Sequence, residues 1–339
     1  MAGRLLRLTL SLLGLAALVT GTASWWVTAQ WDRPVAGADA PAQVVEIAPG
    51  TPFRVVAHDL ARLGIVASAP ALEWLGRWNG TAGRIQPGEY RLSPAMSPRQ
   101  LLATLVAGEV ILHPVTLPEG ITVRETVARL VGAGFDIPPE YREHLEDPEV
   151  IARAGVPTGG GIKVPFEGYL FPDTYLFPRD TGPEQVIGAM LRRLDAAFTP
   201  ARKQRMAALG WSRHQVLTLA SLIEKETALP EERARISAVF HNRLKRGMRL
   251  QTDPTVIYAT PHFDGDIKGK DLRRDDPYNT YRHKGLPPGP IAAPGEAAID
   301  AALNPAEDSA LYFVARGDGG HVFSDNVADH NRAVRRHQR

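Results

Sequence analysis

The sequence predicts an α+β protein: an N-terminal transmembrane helix, a small α+β module, and a mainly helical domain with short strands and Pro-rich loops. Three observations predict it. An uncharged apolar run opens the chain, a strand–turn–helix pattern occurs twice in the first half, and the second half alternates helical periodicity with Pro- and Gly-rich stretches. The 339 residues suggest roughly two domains and suffice for a substantial core. A content of 44% hydrophobic and 22% charged residues is that of a globular chain. The net charge of +2 supplies no basic stripe, so no nucleic-acid partner is expected. The Arg332, Arg335, Arg336 and Arg339 cluster reads as a solvated helix end. With no cysteine, disulfides, thiolate metal sites, cysteine nucleophiles and a lipidated N-terminal cysteine are excluded together.

The elements follow in order. Leu8 to Thr28 carry no charge and would span roughly 30 Å as a helix, the thickness of a bilayer core. Arg4 and Arg7 precede the run, and Trp25 and Trp26 sit at its far end. Positive residues favour the cytoplasmic side and aromatic rings the interface. Residues 1–30 therefore read as a single-pass anchor in the cytoplasmic membrane, N-terminus inside, with the rest of the chain extracytoplasmic. The alternative is a cleaved signal peptide, apolar over Leu8 to Val19 and cut near Thr22, Ala23 and Ser24; both export the working part. Residues 31–43, rich in Ala, Pro, Gly and Asp, read as a linker whose coil reach would hold the next module within about 20 Å of the bilayer.

Residues 44–160 read as the α+β module, built on an internal repeat. Val44 to Ile47 and Val110 to Leu117 are strand-like. Each leads through a Gly-containing turn, Gly50-Thr51-Pro52-Phe53-Arg54 or Gly120-Ile121-Thr122-Val123-Arg124, into a helical pattern closed by Gly64 or Gly134. Thr51 and Thr122 are the expected helix caps. Between the copies, Ile85 to Leu92 read as turn then strand, and Ser97 opens a helix. Residues 161–339 form the second domain after the Gly159-Gly160-Gly161 break. Helices are expected over Pro183–Phe198, His214–Thr227 and Glu231–Arg246, Pro-rich loops over Asp253–Pro294, a hairpin over Ala310–Ser324, and a last helix from Val327.

Zinc motifs, a Gly-x-Ser-x-Gly elbow and a phosphate loop are all missing, so neither a metal nor a cofactor is expected. What remains is a carboxylate site. Ser221-Leu222-Ile223-Glu224-Lys225-Glu226-Thr227 ends an otherwise apolar helix, where burial would raise a carboxyl pKa into the range a general acid needs. A solvated Glu-Lys-Glu helix end is the plain alternative. Glu224 and Glu226 lie about 200° apart around a helix, so the two should not face one cleft alike, and periodicity does not choose between them. Tyr169, Tyr175, Tyr258, Tyr278 and Tyr281 offer an apolar face with a polar tip, suited to sugar or to core packing. Asn279 and Tyr281 lie in a Pro-bounded loop, which favours a site.

The Ser221–Thr227 segment resembles the catalytic signature of the YceG-like family of endolytic lytic transglycosylases. So do Glu167-Gly168-Tyr169-Leu170-Phe171-Pro172-Asp173-Thr174-Tyr175, Ala238 to Leu244, Met248 to Tyr258, Tyr278-Asn279-Thr280-Tyr281 and Gly285 to Ile291, all in the family's order. The repeat resembles the family's LysM-like module, so the likeness covers roughly residues 44–339. It implies that Glu226, followed by Thr227, is the catalytic acid and base. It further implies cleavage between N-acetylmuramic acid and N-acetylglucosamine in nascent peptidoglycan, leaving a 1,6-anhydro end and consuming no water. That step could terminate glycan elongation. Glu224, Gln251, Asp253, Thr255, Tyr258, Asn279 and Tyr281 are then the expected substrate-binding set, with Glu224 orienting a neighbour. The implied partners are peptidoglycan glycan strands, the penicillin-binding synthases and, through the N-terminal helix, the membrane. Two other functions stay open: a non-catalytic peptidoglycan-binding scaffold, and a muramidase that hydrolyses the same bond with Asp253 as second carboxylate.

Overall fold

The structure, a computed structural model, describes residues 21, 22, 25, 28–135 and 145–337. The anchor reading over residues 1–30 falls mostly outside them. Among the described residues no helix is long and apolar enough to cross a membrane. The chain divides into two compact units, one of residues 1–113 with 178–180 and one of 114–177 with 181–339. The units part at His113–Pro114. Gly159-Gly160-Gly161, where the sequence places a boundary, lies inside the second unit as a run of three positive-φ glycines.

The N-terminal unit contains β1 (Gln43–Ile47), α1 (Phe53–Arg62), α2 (Ala69–Trp78), β2 (Gly88–Leu92) and α3 (Pro98–Ala107). β1 and β2 are antiparallel, with Gln43 opposite Leu92 and Ile47 opposite Gly88. Val45, Ile47, Tyr90 and Leu92 turn inward at the period of two that a one-face-buried sheet requires. They meet Val56, Leu60, Leu72, Leu75, Leu101 and Leu105 from the helices. α3 is delimited as its sequence dictates. Ser97 and Gln100 form a capping box, Pro98 takes the first turn, and Gly108 closes the helix in the left-handed region. Residues 31–43 are no loose linker. Trp31 is part of the core, the Val35 and Ala36 N–H groups donate to Pro94 O at 2.9 and 3.0 Å, and Arg99 pairs with Asp32 at 2.8 Å. A random-coil reach therefore does not apply to this segment.

The C-terminal unit continues with β3 (His113–Leu117), α4 (Val123–Gly132), α5 (Pro148–Arg153), β4 (Asp173–Phe177), α6 (Pro183–Ala197), α7 (Pro200–Leu209), α8 (Arg213–Glu226), α9 (Arg233–Lys245), α10 (Asp253–Ala259), α11 (Gly269–Leu272), α12 (Glu296–Leu303), the β5–β6 hairpin (Tyr312–Ala315 and His321–Ser324) and α13 (Val327–His337). β3 pairs with β4. The repeat is present as strand, turn and ten-residue helix in both copies, but its caps differ. Thr122 caps α4 in a box with Glu125. Thr51 does not cap α1: Pro52 occupies that position, and the Thr51 hydroxyl instead donates back to Ala48 O at 2.8 Å. The Asp253–Pro294 stretch is not loop throughout, since it contains α10 and α11.

Candidate active site

The site is built around α8. Ser212 caps it in a box with Gln215, and the eight consecutive residues Val216 to Ile223 are all buried. A helix apolar on every side belongs in a core, and α8 packs against α9, α10 and α12. It stops at Glu226 because Thr227 turns to extended backbone (φ −145°, ψ 138°) and donates its N–H back to Ile223 O. The helix thus delivers its last carboxylate from the core to an open concavity of about 360 Å³, shared with Glu119, Glu224 and Arg233.

Glu226 is half-buried: it keeps an opening to the concavity while its carboxyl is enclosed by protein atoms. Its pKa is pushed up to about 7, chiefly because burial penalises the anion, with the Asp253 carboxylate adding to the rise. A hydrogen bond from the Thr252 hydroxyl and the nearby Arg243 guanidinium oppose that rise. Arg243 is buried, donating from Nε to Leu311 O at 2.6 Å and from a terminal nitrogen to Leu250 O at 2.5 Å. Glu224 is held more tightly. One oxygen accepts from Gly295 N–H at 3.1 Å, the other lies 3.7 Å from Arg233, and burial raises its pKa. Both glutamates line the same concavity, because it sits at the end of the helix, where side chains from either flank can reach.

The Met248–Tyr258 segment meets Glu226 through Thr252. Gln251 has φ +49°, sparsely populated for a non-glycine residue, and it immediately precedes Thr252. Thr252 is buried. Its N–H donates to Thr280 Oγ1 at 3.1 Å, and Thr255 Oγ1 donates to Thr252 O at 2.7 Å while lying 2.8 Å from Thr280 Oγ1. This threonine network sets the start of α10 beside Glu226. Asp253 is exposed and accepts from the Tyr281 hydroxyl at 2.6 Å. Burial, then that bond, raises the Tyr281 pKa.

The predicted residues therefore separate. Glu226, Glu224, Asp253, Tyr281 and Gln251 gather around Thr252 or the concavity. Thr255 and Asn279 are fully buried and engaged by protein: Asn279 donates to the carbonyls of Asp271, Leu272 and Arg274 and accepts from Tyr281 N–H. They brace the backbone of Thr252 and Tyr281, since a group with no exposed surface cannot meet a ligand. Tyr258 lies elsewhere, its hydroxyl donating to Glu167 at 3.3 Å beside a cleft of about 980 Å³. Tyr169 bonds His214 Nδ1 at 3.0 Å, Tyr175 donates to Phe171 O at 2.7 Å, and Tyr278 is buried, so these three are core. Among the described residues no group of three or more His, Asp or Glu side chains is arranged to hold a metal ion.

Two residues escaped the sequence reading. Thr252, in the Gln251-Thr252-Asp253 triplet, is the hydrogen-bond donor to Glu226. Glu167 is a second buried acid, pushed up to about 7 mainly by burial and accepting from Val123 N–H at 2.9 Å. Its signal was its place beside Gly168, which has φ +76° and packs so closely on Pro290 that no Cβ would fit.

The YceG-like family model matches residues 45–336. The endolytic murein transglycosylase of Bacillus subtilis is 34% identical over 300 residues, covering 85% of this chain and 83% of that protein. The protein of the same name from Streptococcus pneumoniae serotype 2 is 31% identical over 324 residues, covering 86% of this chain; the match spans only 58% of that longer relative. A crystal structure of a yceG-like protein from Listeria monocytogenes superposes with a TM-score of 0.61 at 33% identity, over 87% of this chain and 99% of that one. With nearly all of both described units inside the match, the chain belongs to the YceG-like family.

Proposed function

We infer that this chain is a lytic transglycosylase that cuts peptidoglycan, with Glu226 as both acid and base. The observation that carries the reading is the Glu226 carboxyl: enclosed yet open to a concavity, with a pKa near neutrality and a single hydroxyl holding it. The shared name of the relatives, endolytic murein transglycosylase, supports the reaction class. Protonated Glu226 donates to the oxygen joining N-acetylmuramic acid to N-acetylglucosamine, and that bond breaks as an oxocarbenium-like centre develops at C1. The resulting carboxylate takes the proton of the muramic C6 hydroxyl, whose oxygen closes on C1. Atoms balance without water, and Glu226 regains its proton. A group with pKa near the working pH suits both transfers. Asp253, tied to Tyr281, and Gln251 line the approach, and Glu224 orients Arg233 and the Gly295 turn.

The wider reading is of the same kind. The uncharged Leu8–Thr28 run anchors the chain in the cytoplasmic membrane, and the enzyme acts outside it on nascent strands beside the penicillin-binding synthases. The N-terminal unit serves as a LysM-like glycan-positioning module, and the unit after His113 holds the chemistry.

The test is end-group analysis by mass spectrometry on purified glycan strands. The parent should release 1,6-anhydro ends; reducing muramic acid ends would indicate a muramidase instead. Glu226→Gln keeps shape but cannot cycle a proton. It should lose about 10⁴-fold in rate, the upper end of what one positioned acid–base group contributes, while still binding strands. Glu224→Gln should cost less, and Asp253→Asn should leave measurable anhydro product. Retention of activity in Glu226→Gln alongside its loss in Glu224→Gln would exchange the two roles.

A further inference from the structure

α2 carries two large aromatic side chains on its outer face. Trp74 is 48% and Trp78 71% exposed. They sit one helical turn apart, stacked with ring centroids 5.6 Å apart and planes at 30°. The packing of α2 sets this outward direction. Leu72, Leu75 and Gly76 face the core, and a Cβ on Gly76 would collide with the Phe53 ring, so α2 lies tightly on α1. An isolated exposed apolar residue is ordinary, but an exposed stack of two indoles marks an interaction surface.

The neighbour of this stack identifies what covers it. Trp74 lies 5.9 Å from Trp31, which is only 3% exposed and belongs to the core of the same unit. Trp31 follows the uncharged Leu8–Thr28 run by three residues. No slack intervenes, because residues 31–36 are bonded to the unit through Val35, Ala36 and the Asp32–Arg99 pair. The point where the apolar run ends is thus joined through one buried indole to the exposed pair. Indole combines an apolar face with an N–H donor and favours the headgroup layer of a bilayer.

We propose that the Trp74–Trp78 face of the N-terminal unit seats on the lipid headgroup layer of the membrane that the N-terminal run enters. This rests on the anchor reading and extends it: the unit is docked on the bilayer by its own surface as well as tethered to it.

The absence of cysteine makes the test direct. Trp78→Cys, at a largely exposed position, is labelled with an environment-sensitive fluorophore in the full-length chain. The protein is reconstituted into phospholipid vesicles brominated either near the headgroup or near the acyl-chain end. The expected result is flotation with the vesicles, a blue shift of the label, and stronger quenching by bromine near the headgroup. As a second measurement, Trp74→Ser with Trp78→Ser should lower the lipid-quenched share of intrinsic tryptophan emission. Flotation without quenching at position 78, and an unchanged quenched share in the double variant, would overturn the surface while leaving the anchor intact. Failure to float would refute the anchor, and the docking with it.

Discussion

At the scale of single residues, two acids are pushed up to near neutrality by burial, for different purposes. Glu226 is opened to solvent at a helix end, and its anion is stabilised by the Thr252 hydroxyl. Thr252→Val removes that donor at nearly constant volume, so the anion loses support and the Glu226 pKa should climb further above 7. Because the first step needs the protonated acid, the falling alkaline limb of the pH–rate profile should move to higher pH; an unmoved limb would mean that the bond has no influence on the acid. Glu167 is enclosed and bridges Val123 N–H to Tyr258. Its pKa rises from the ordinary 4.5 to about 7. Below pH 4.5 the carboxyl is protonated in both folded and unfolded chains. Between pH 4.5 and about 7 the unfolded chain has released its proton while the folded chain retains it, so the folded state loses up to about 3 kcal/mol over that range. Glu167→Gln should therefore flatten the fall in stability between pH 5 and pH 8, as read from urea midpoints.

At the scale of elements, the repeat shows how one pattern can be stabilised in two ways. α4 begins with the reciprocal Thr122–Glu125 box, whereas α1 begins at Pro52 with no side-chain cap. Thr122→Ala should cost about 1 kcal/mol, within the usual range for losing an N-cap, and Thr51→Ala less, since only a turn bond is removed. Equal losses in urea unfolding would show that the two turns are equivalent after all. The catalytic helix follows a different rule. α8 is buried on all sides and packs on α12, so its placement depends on its neighbours more than on its own ends. The Ser221 hydroxyl accepts from Ile291 N–H at 3.1 Å, which ties the Pro-rich loop to the same helix.

At the scale of the whole molecule, the division of the chain decides which fragments can stand alone. Val115, Leu117, Val123, Leu130 and Phe135 share one core with Val216, Leu219 and Ile223 of the site helix. A fragment beginning at residue 161 lacks all five and leaves Glu167 without its Val123 partner. Residues 114–339 should fold cooperatively and resist proteolysis, whereas residues 161–339 should melt lower or not cooperatively. Equal stability of the two fragments in thermal unfolding would show that the second repeat copy contributes nothing to the unit.

Much of this protein was legible in its sequence, because the signals were local. Alternation in β1 and β2, the Ser97 and Thr122 caps, the closing glycines and the β5–β6 hairpin each depend on a few adjacent residues. The acidic end of an apolar helix could be found the same way. Helices without a one-sided stripe were missed: α7 buries no residue, and α12 follows Pro294-Gly295 and is apolar nearly throughout. Only the tertiary structure could separate exposed residues from enclosed ones, as with Asp253 against Thr255. It alone brought Thr252 to Glu226 across 26 positions and Glu167 to Val123 across 44. The physical reason is that burial and hydrogen bonding between distant segments arise only when the chain closes on itself. A pKa near 7 comes from that enclosure, and no spacing along the sequence records it.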